Sequence, residues 1–188
     1  MGSANGEVST ILVDKVADWL MRSALAGDPL ETIIQSFCER IAAAGVPVAR
    51  IHLSFSMLHP LYDALSFIWA RGEAIEIEGM RKKNGLPPER FLRSPYFYLL
   101  SNKLEHIRRR IEPSGPIEFP IFEELRQQGM TDYLAFVHSF GGERQGMIGS
   151  WTTDSPNGFS ESTIAALLRI QSNLAVAAKM AVLTKLAD

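Results

Sequence analysis

Hydrophobic residues recur at helical spacing over the first part of the chain and indicate two helices. Gly27 ends the first helix, because glycine readily takes the left-handed conformation that follows a helix. Asp28 is placed to cap the second helix, and Pro29 suits its first turn. We therefore predict N-terminal helices over residues 7–44, after a flexible start at residues 1–6.

A longer helical pattern closes the chain. Ser160 is a favourable N-cap, and apolar residues then recur at helical spacing as far as residue 186. We predict a helix over residues 160–186, which is longer than most helices of globular proteins. Its apolar positions are Ile164, Leu167, Leu168, Leu174, Ala178, Ala181, Leu183 and Leu186.

Between these helices the hydrophobic pattern changes to the two-residue period of half-buried strands. Residues 50–57, 65–69 and 75–78 alternate in this way. Short connections separate them, so we predict an antiparallel meander of three strands. His59 and Pro60 fall in the first connection, where proline favours a turn.

The alternation stops over residues 79–103, which we predict to be an irregular crossover. Ser94 and Pro95 can start a short helix within it. Three further strands follow, with another short helix between the first two of them. The predicted strands are Glu105–Ile111, Tyr133–Phe140 and Gly146–Thr153, and the predicted helix is Pro120–Gln128.

This order of elements predicts the fold class. Helices followed by strands and a final helix indicate an α+β fold with a central antiparallel sheet of about six strands. We expect the N- and C-terminal helices to pack on one face of that sheet. At 188 residues the chain fits a single domain, which we place at residues 7–188 with its sheet region at 47–153.

Composition narrows the range of partners. A net charge of -2 gives no electrostatic case for binding nucleic acid or an anionic membrane surface. No apolar run approaches the roughly 18 residues that cross a bilayer, and acidic residues interrupt the segment where a signal peptide would need an apolar core. The one cysteine, Cys38, cannot form an internal disulfide and fits a reducing compartment. We therefore expect a soluble, cytoplasmic protein.

Residues 119–177, which run from FPIFEELRQQGMTDYLAF to GFSESTIAALLRIQSNLAVA, resemble the C-terminal part of a GAF domain. A short helix, a Gly-Gly hairpin, a small-residue strand and the GFSES start of the last helix carry this resemblance. Four stretches are similar to the N-terminal region of bacterial class III adenylate/guanylate cyclases. They are DWLMRSALAGDPLETIIQSFCERIAAAGVPVARIHLSFSMLHPLYDALSFIWARGE, SPYFYLL, FPIFEELRQQGMTDYLAF and SWTTDSPNGFS.

This resemblance implies a non-catalytic sensory, regulatory and dimerisation domain that controls cyclic-nucleotide synthesis by a C-terminal catalytic domain. The metal-binding aspartates and purine-recognising residues of a cyclase domain cannot be located in this chain, so we expect the chain itself not to be an enzyme. The alternative is a stand-alone GAF-like module that binds a small molecule or a protein. A GAF-type reductase of oxidised methionine would need a cysteine cluster, and the position of Cys38 before the sheet argues against it.

One face of the predicted sheet is polar, because polar residues alternate with the apolar ones of the first strand. We expect the strand over residues 105–111 to add its own polar positions to this face, and the crossover to cover it. Aromatic walls with a few convergent polar groups are typical of small-molecule pockets, and GAF domains bind ligands in the corresponding place. A charged, solvated edge strand is the alternative explanation for the arginines. The candidate pocket residues are His52, Ser54, Ser56, Tyr96, His106, Arg108 and Arg110.

No catalytic residue, metal site or cofactor is evident in the sequence. His59 has no His, Cys or acidic partner at metal-site spacing, and Cys38 fits a buried packing residue. The signature of cyclic-nucleotide-binding GAF domains and the cysteine context of bilin-binding ones are not recognisable. Haem bound through His52, His106 or His138 stays open with no feature that favours it, and so does an unknown small molecule.

The terminal helices favour a homodimer. The main apolar stripe of the last helix can serve the core of one chain, because a surface helix needs only one apolar face. Val176 and Met180 add apolar surface beyond that stripe, and such surface commonly marks a partner interface. We therefore expect a homodimer formed through the terminal helices, joined in the parent protein to a cyclase output domain.

Overall fold

The computed structural model describes residues 8–56, 64–81, 88–142 and 145–187. The predicted flexible start, the connection with His59 and Pro60, and residues 82–87 of the predicted crossover lie outside these residues. In chain order the elements are α1 (Thr10–Leu25), α2 (Leu30–Ala43), β1 (Arg50–Ser56), β2 (Ala64–Ala70), β3 (Glu76–Met80), α3 (Glu89–Leu92), α4 (Pro95–Ser101), β4 (His106–Arg110), α5 (Pro120–Gln127), β5 (Asp132–Gly142), β6 (Gln145–Thr153) and α6 (Glu161–Ala187).

Two compact units make up the chain, with boundaries after Pro47 and after Gly158. The helical unit contains α1, α2 and α6, and the sheet unit contains all six strands together with α3, α4 and α5. Each unit has its own set of internal contacts, so each is described separately below.

In the helical unit, α1 contacts both α2 and α6. Gly27 ends α1 as predicted, with a φ of 77° that other residues adopt only with strain. Ser160 starts α6 as predicted, because its Oγ accepts the backbone N–H of Thr163 at 3.1 Å. The predicted cap by Asp28 is wrong. Helix α2 begins at Leu30, one residue too late for Asp28 to be its N-cap, and no side chain caps it.

Helix α6 is long and apolar enough to cross a membrane by length and composition alone, over Glu161–Thr184 with a mean hydropathy of 1.3. This differs from the prediction that no apolar run approaches membrane-spanning length, because Arg169 and Lys179 interrupt the uncharged sequence without lowering its mean hydropathy enough. Half of the most apolar window is buried inside the fold, and the helix contacts α1 and α2. This pattern is that of a core helix.

The sheet unit is built on one six-stranded antiparallel sheet with strand order β3-β2-β1-β6-β5-β4. The predicted meander of three strands is present as β3, β2 and β1, and β5 lies inside the sheet as its two apolar faces predicted. β1 is central, with β2 and β6 on its two sides. Residue His52 therefore lies between Ile68 and Ser150 in register.

The crossover between β3 and β4 carries two short helices. Ser94 caps α4 as predicted, because its Oγ accepts the backbone N–H of Phe97 at 3.3 Å. Tyr96 and Leu99 of α4 are buried in a hydrophobic cluster with side chains of β4, α5 and β5, which we call the aromatic cluster. Its buried members are Tyr96, Leu99, Ile107, Ile111, Phe119, Phe122, Leu125, Tyr133 and Ala135.

Candidate functional site

The face of the sheet that carries His52 also carries Ser54 and Ser56 of β1, as predicted from alternation. Register extends this face across the neighbouring strands. His52 is paired with Ser150 of β6, and Ser54 with Ser66 of β2. On β5, the residues in line with Ser150 and Thr152 are Ala135 and Tyr133. We call this surface the polar face of the sheet.

The expectation that His106, Arg108 and Arg110 share the polar face is wrong. Ile107 is paired with Ala135, and Arg109 with Tyr133, so these two β4 residues belong to the polar face instead. The other three point to the opposite side. The physical reason is that Ile107 packs into the aromatic cluster, and a strand can place only alternate residues on one face.

A chain of short polar contacts connects the crossover to the polar face. The Tyr96 hydroxyl donates to Ser150 Oγ at 2.9 Å and lies 2.6 Å from His52 Nδ1. Because the Tyr96 O–H donates to Ser150, the Tyr96 oxygen accepts a hydrogen bond from the Nδ1–H of His52. The Nε2 atom of His52 is then left as an acceptor. The two rings are tilted at 50° with their centroids 5.5 Å apart. Tyr96 is thus the anchor of α4 on the sheet.

Burial keeps these groups uncharged. Desolvation, together with the positive charges of Arg50 and Arg90, lowers the pKa of His52 to about 3. Desolvation raises the pKa of Tyr96, and raises that of Tyr133 well above its ordinary value, with a contribution from Tyr96. At neutral pH the site therefore offers neutral imidazole and hydroxyl groups.

The polar face is covered unevenly. Over β4, β5 and β6 it is sealed by the aromatic cluster, in which Tyr133 is 1% exposed and Ala135 is 0% exposed. Over β1 and β2 it is partly open, because Arg50, His52 and Ile68 each keep part of their surface exposed. Ser54 and Ser66 on these two strands are buried, and the Ser66 hydroxyl donates to Ser54 Oγ at 2.9 Å. The open half is the candidate ligand site.

The arginines of β4 have a structural role on the other face. Arg108 Nη2 lies 2.8 Å from Asp132 Oδ2, and Arg110 Nη1 lies 3.8 Å from the same oxygen. The Asp132 side chain is fully buried. Arg110 also donates to the Pro156 carbonyl, and Gly158 packs directly against Arg110 and Asp132. A buried carboxylate needs such partners, so these arginines are already engaged.

The remaining sequence candidates are not part of the polar face. His106 is exposed on β4, and His138 is half-buried against Phe136. Cys38 is buried in α2, and burial raises the pKa of its thiol. Among the described residues, no three His, Cys, Asp or Glu side chains come together as metal ligands would.

Four site residues were missed from the sequence. Ser66 and Ser150 were not among the sequence candidates, because alternation shows the faces of one strand but not which faces align between strands. Arg50 occupies the same alternating series as His52, and this signal was available. Arg90 could not be placed, since it lies in a crossover without periodicity.

Solved structures share this fold. The GAF domain of a Bacillus halodurans two-component sensor histidine kinase matches at 16% identity with a TM-score of 0.54, over 79% of this chain and 92% of that one. The phycoerythrobilin-bound GAF domain of a cyanobacterial phytochrome matches at 17% identity with a TM-score of 0.57, over 90% and 95%. The GAF domain of a Coxiella burnetii phosphoenolpyruvate-protein phosphotransferase matches at 15% identity with a TM-score of 0.55, over 92% of each chain.

No family model and no curated protein matches the sequence. The structural likeness therefore stands by itself, and at this level of identity it concerns the fold. The prediction of a GAF-like fold is confirmed: the chain has an α+β fold with a six-stranded antiparallel sheet, as GAF domains have.

Proposed function

We propose that this chain is a non-catalytic sensory and regulatory domain that binds a small molecule on the open half of its polar face. The observation that carries the proposal is the contact chain from His52 through Tyr96 to Ser150, within a fold shared with GAF domains of sensor proteins. This series of contacts joins the open half of the face to α4 and to the aromatic cluster. A ligand that contacts His52 would thus change how the crossover packs on the sheet, by favouring one of its arrangements.

The proposed output is control of cyclic-nucleotide synthesis by a catalytic domain outside this chain. Support comes from the sequence stretches that resemble the N-terminal region of bacterial class III cyclases. Two GAF-containing structural neighbours belong to signalling proteins, a sensor histidine kinase and a phytochrome. We place the protein in the cytoplasm, where such a cyclase would find its nucleotide substrate.

A homodimer formed through the terminal helices is part of the proposal. On α6, Val176 is 51% exposed and Leu183 is 55% exposed, and seven residues separate them, so they share one helix face. On α1, Ile11 and Leu25 are 69% and 75% exposed. Class III cyclases form their active sites between two catalytic domains, so a dimeric regulator can couple to them mechanically.

Light scattering on the purified chain tests the dimer. We expect a mass twice the 20.9 kDa of one chain at micromolar concentration, and about half of that mass for a V176D/L183E double variant. Leu92→Glu, in the sheet unit and 42% exposed, is the control that should stay dimeric. A monomeric wild-type protein would refute dimerisation by these helices.

The gene sequence beyond the codon for Asp188 tests the cyclase link. A cyclase domain in the same reading frame supports it, and a stop codon favours the alternative of a stand-alone binding or interaction module. Given a cyclase domain, Tyr96→Phe should alter the rate of cyclic-nucleotide formation by the full-length protein. Tyr98→Phe is the control, because it removes a hydroxyl of the same helix that is hydrogen-bonded to Arg109. Equal rates for all three proteins would count against regulation through Tyr96.

A further inference from the structure

We propose that a groove between α1 and α2 binds a small organic anion with an apolar body, whose carboxylate or phosphate group lies between Lys15 and Arg40. The groove has a volume of about 220 Å³. It belongs to the helical unit, whereas the polar face belongs to the sheet unit, so this site goes beyond the proposed function. Its lining residues are Leu12, Lys15, Val16, Arg40, Ala43 and Ala44.

The fold brings two positive charges to this one groove. Lys15 comes from α1 and Arg40 from the last turn of α2, and both residues are exposed. Trp19 connects them. The Arg40 guanidinium carbon lies 4.4 Å from the centroid of the Trp19 ring. Lys15 precedes Trp19 by four residues, so these two side chains are neighbours along α1.

The contact with Trp19 also prepares Arg40 for an anion. Cation–π attraction holds the guanidinium over the aromatic face and restricts a side chain that would otherwise be flexible. The N–H donors of a guanidinium lie in its own plane, so a ring below that plane does not occupy them. They are therefore available for a carboxylate or phosphate, which guanidinium groups bind through paired hydrogen bonds.

Neither charge is neutralised by a partner in the fold. Within the part of the chain that the structure describes, Lys15 and Arg40 form no ion pair and no side-chain hydrogen bond. Two like charges at one groove repel each other, and an anion between them turns that repulsion into two attractions. The groove thus favours a negatively charged group over a neutral one.

The nearby carboxylates do not line the groove. Asp14 and Asp18 each lie two residues from Val16, which does line it, and side chains two apart on a helix do not share a side. Glu39 accepts a hydrogen bond from Gln35, one turn earlier on α2. The positive charge at the groove is therefore not offset by an acidic lining residue.

The rest of the groove is apolar, which sets the kind of anion. Val16 and Ala44 form buried parts of its lining, and Leu12 is 43% exposed beside them. An apolar body attached to the anionic group would cover this surface, which a bare inorganic ion leaves in water. The groove is smaller than the roughly 300 Å³ at which sites for drug-sized ligands begin, so we expect a short apolar body.

Four probes test the proposal by NMR titration of the 15N-labelled chain in phosphate-free buffer at fixed ionic strength. Hexanoate and hexyl phosphate carry the two anionic groups, hexanamide is the uncharged match, and acetate lacks the apolar body. We expect hexanoate to give saturable shifts of the Lys15, Val16 and Ala43 amide signals, with a dissociation constant on the order of millimolar. Hexanamide and acetate should bind at least about fivefold more weakly.

A charge-removing substitution and its matched control assign the anionic group to the groove. Lys15→Gln should weaken hexanoate binding about fivefold and leave hexanamide binding unchanged. Arg22→Gln removes the same charge from an exposed position of the same helix. Arg22 lies about 10 Å further along the helix axis and does not line the groove, so this control should bind hexanoate as wild type does.

Every outcome of these titrations supports or overturns the proposal. Tighter binding of hexanoate than of hexyl phosphate assigns a carboxylate, and the reverse assigns a phosphate. Hexanamide or acetate binding as tightly as hexanoate would overturn the proposal, and so would equal losses in Lys15→Gln and Arg22→Gln. Shifts confined to the sheet unit, or no saturable shift up to roughly 50 mM of either six-carbon anion, would overturn it as well. The proposed function is tested at Tyr96 and on α6, so it stands or falls separately.

Discussion

We predict that replacing Gly158 with alanine destabilises the protein more than the same replacement at Gly129, which serves as the matched control. It has a φ of 70°, and a Cβ built on it would lie 2.5 Å from Asp132 Oδ2 and 3.0 Å from Asp132 Cβ. It would also overlap the Arg110 guanidinium. Gly129 has a similar φ of 80° but no atom within 4 Å of the same position. An alanine is therefore strained in its backbone at both sites, but its Cβ collides with other atoms only at Gly158.

The magnitude follows from these two terms. A left-handed alanine costs about 1 kcal/mol at either site. At Gly158, Arg110 can swing aside because its end is flexible and 44% of its side chain is exposed. Asp132 cannot, since it is short, buried and bonded to Arg108. Overpacking of this kind costs about 1–3 kcal/mol, so we expect Gly158→Ala to lose about 2 kcal/mol more than Gly129→Ala.

Urea unfolding followed by circular dichroism measures both variants. With an m-value of about 2 kcal/mol/M, the extra loss should lower the urea midpoint of Gly158→Ala by about 1 M relative to Gly129→Ala. A difference between the two variants below about 0.5 kcal/mol would refute the argument. It would mean that the Asp132 side chain moves away from the added methyl group without loss of stability. Its contacts with Arg108 and Arg110 would then not hold it in place.

Three further predictions concern single side chains. Because the pKa of His52 is lowered to about 3, the unfolded chain takes up a proton below about pH 6.5 that the folded chain refuses, so stability is lost as pH falls through this window. Wild type should therefore lose about 1–2 kcal/mol more than His52→Gln between pH 7.5 and pH 5 in urea titrations, and parallel losses would contradict this. Cys38, buried and with a raised pKa, should react with Ellman's reagent only in denaturant; rapid reaction of the native chain would disprove its burial. Ser94→Ala should cost about 1 kcal/mol by removing the cap of α4, and an unchanged urea midpoint would show that the cap does not matter.

The sequence was sufficient for the fold class and for every element except α3, which lies in the crossover without periodicity. The hydrophobic period changes from helical to strand-like and back along the chain, and these changes predicted all six strands. Ser94 and Ser160 predicted two helix starts correctly. These signals are local, so they survive without knowledge of tertiary contacts. The error at Asp28 also has a local cause. The neighbouring Pro29 can occupy either the N-cap or the first turn of a helix, and the observed start of α2 at Leu30 shows that it occupies the N-cap.

Register was the part that could not be predicted. The alternation of β4 allowed either His106, Arg108 and Arg110 or Ile107 and Arg109 to share the polar face. The choice depends on which side of the sheet has apolar partners for Ile107, and those partners come from α4 and α5. The buried Asp132 was an overlooked signal, because a carboxylate in a buried strand requires nearby cations, and Arg108 and Arg110 lie close to it.

The corrected register changes how the polar face can work. With Arg108 and Arg110 committed to Asp132 on the other side, the positive charge near His52 has to come from Arg50 and Arg90. Tyr96 belongs both to the aromatic cluster, through its ring, and to the polar contacts, through its hydroxyl. A ligand that competes for His52 must therefore either accommodate this hydroxyl or displace a ring packed among buried aromatic side chains. Since cores of this kind repack between discrete arrangements rather than deforming continuously, a ligand bound as we propose at the open half would act on the sealed half through Tyr96.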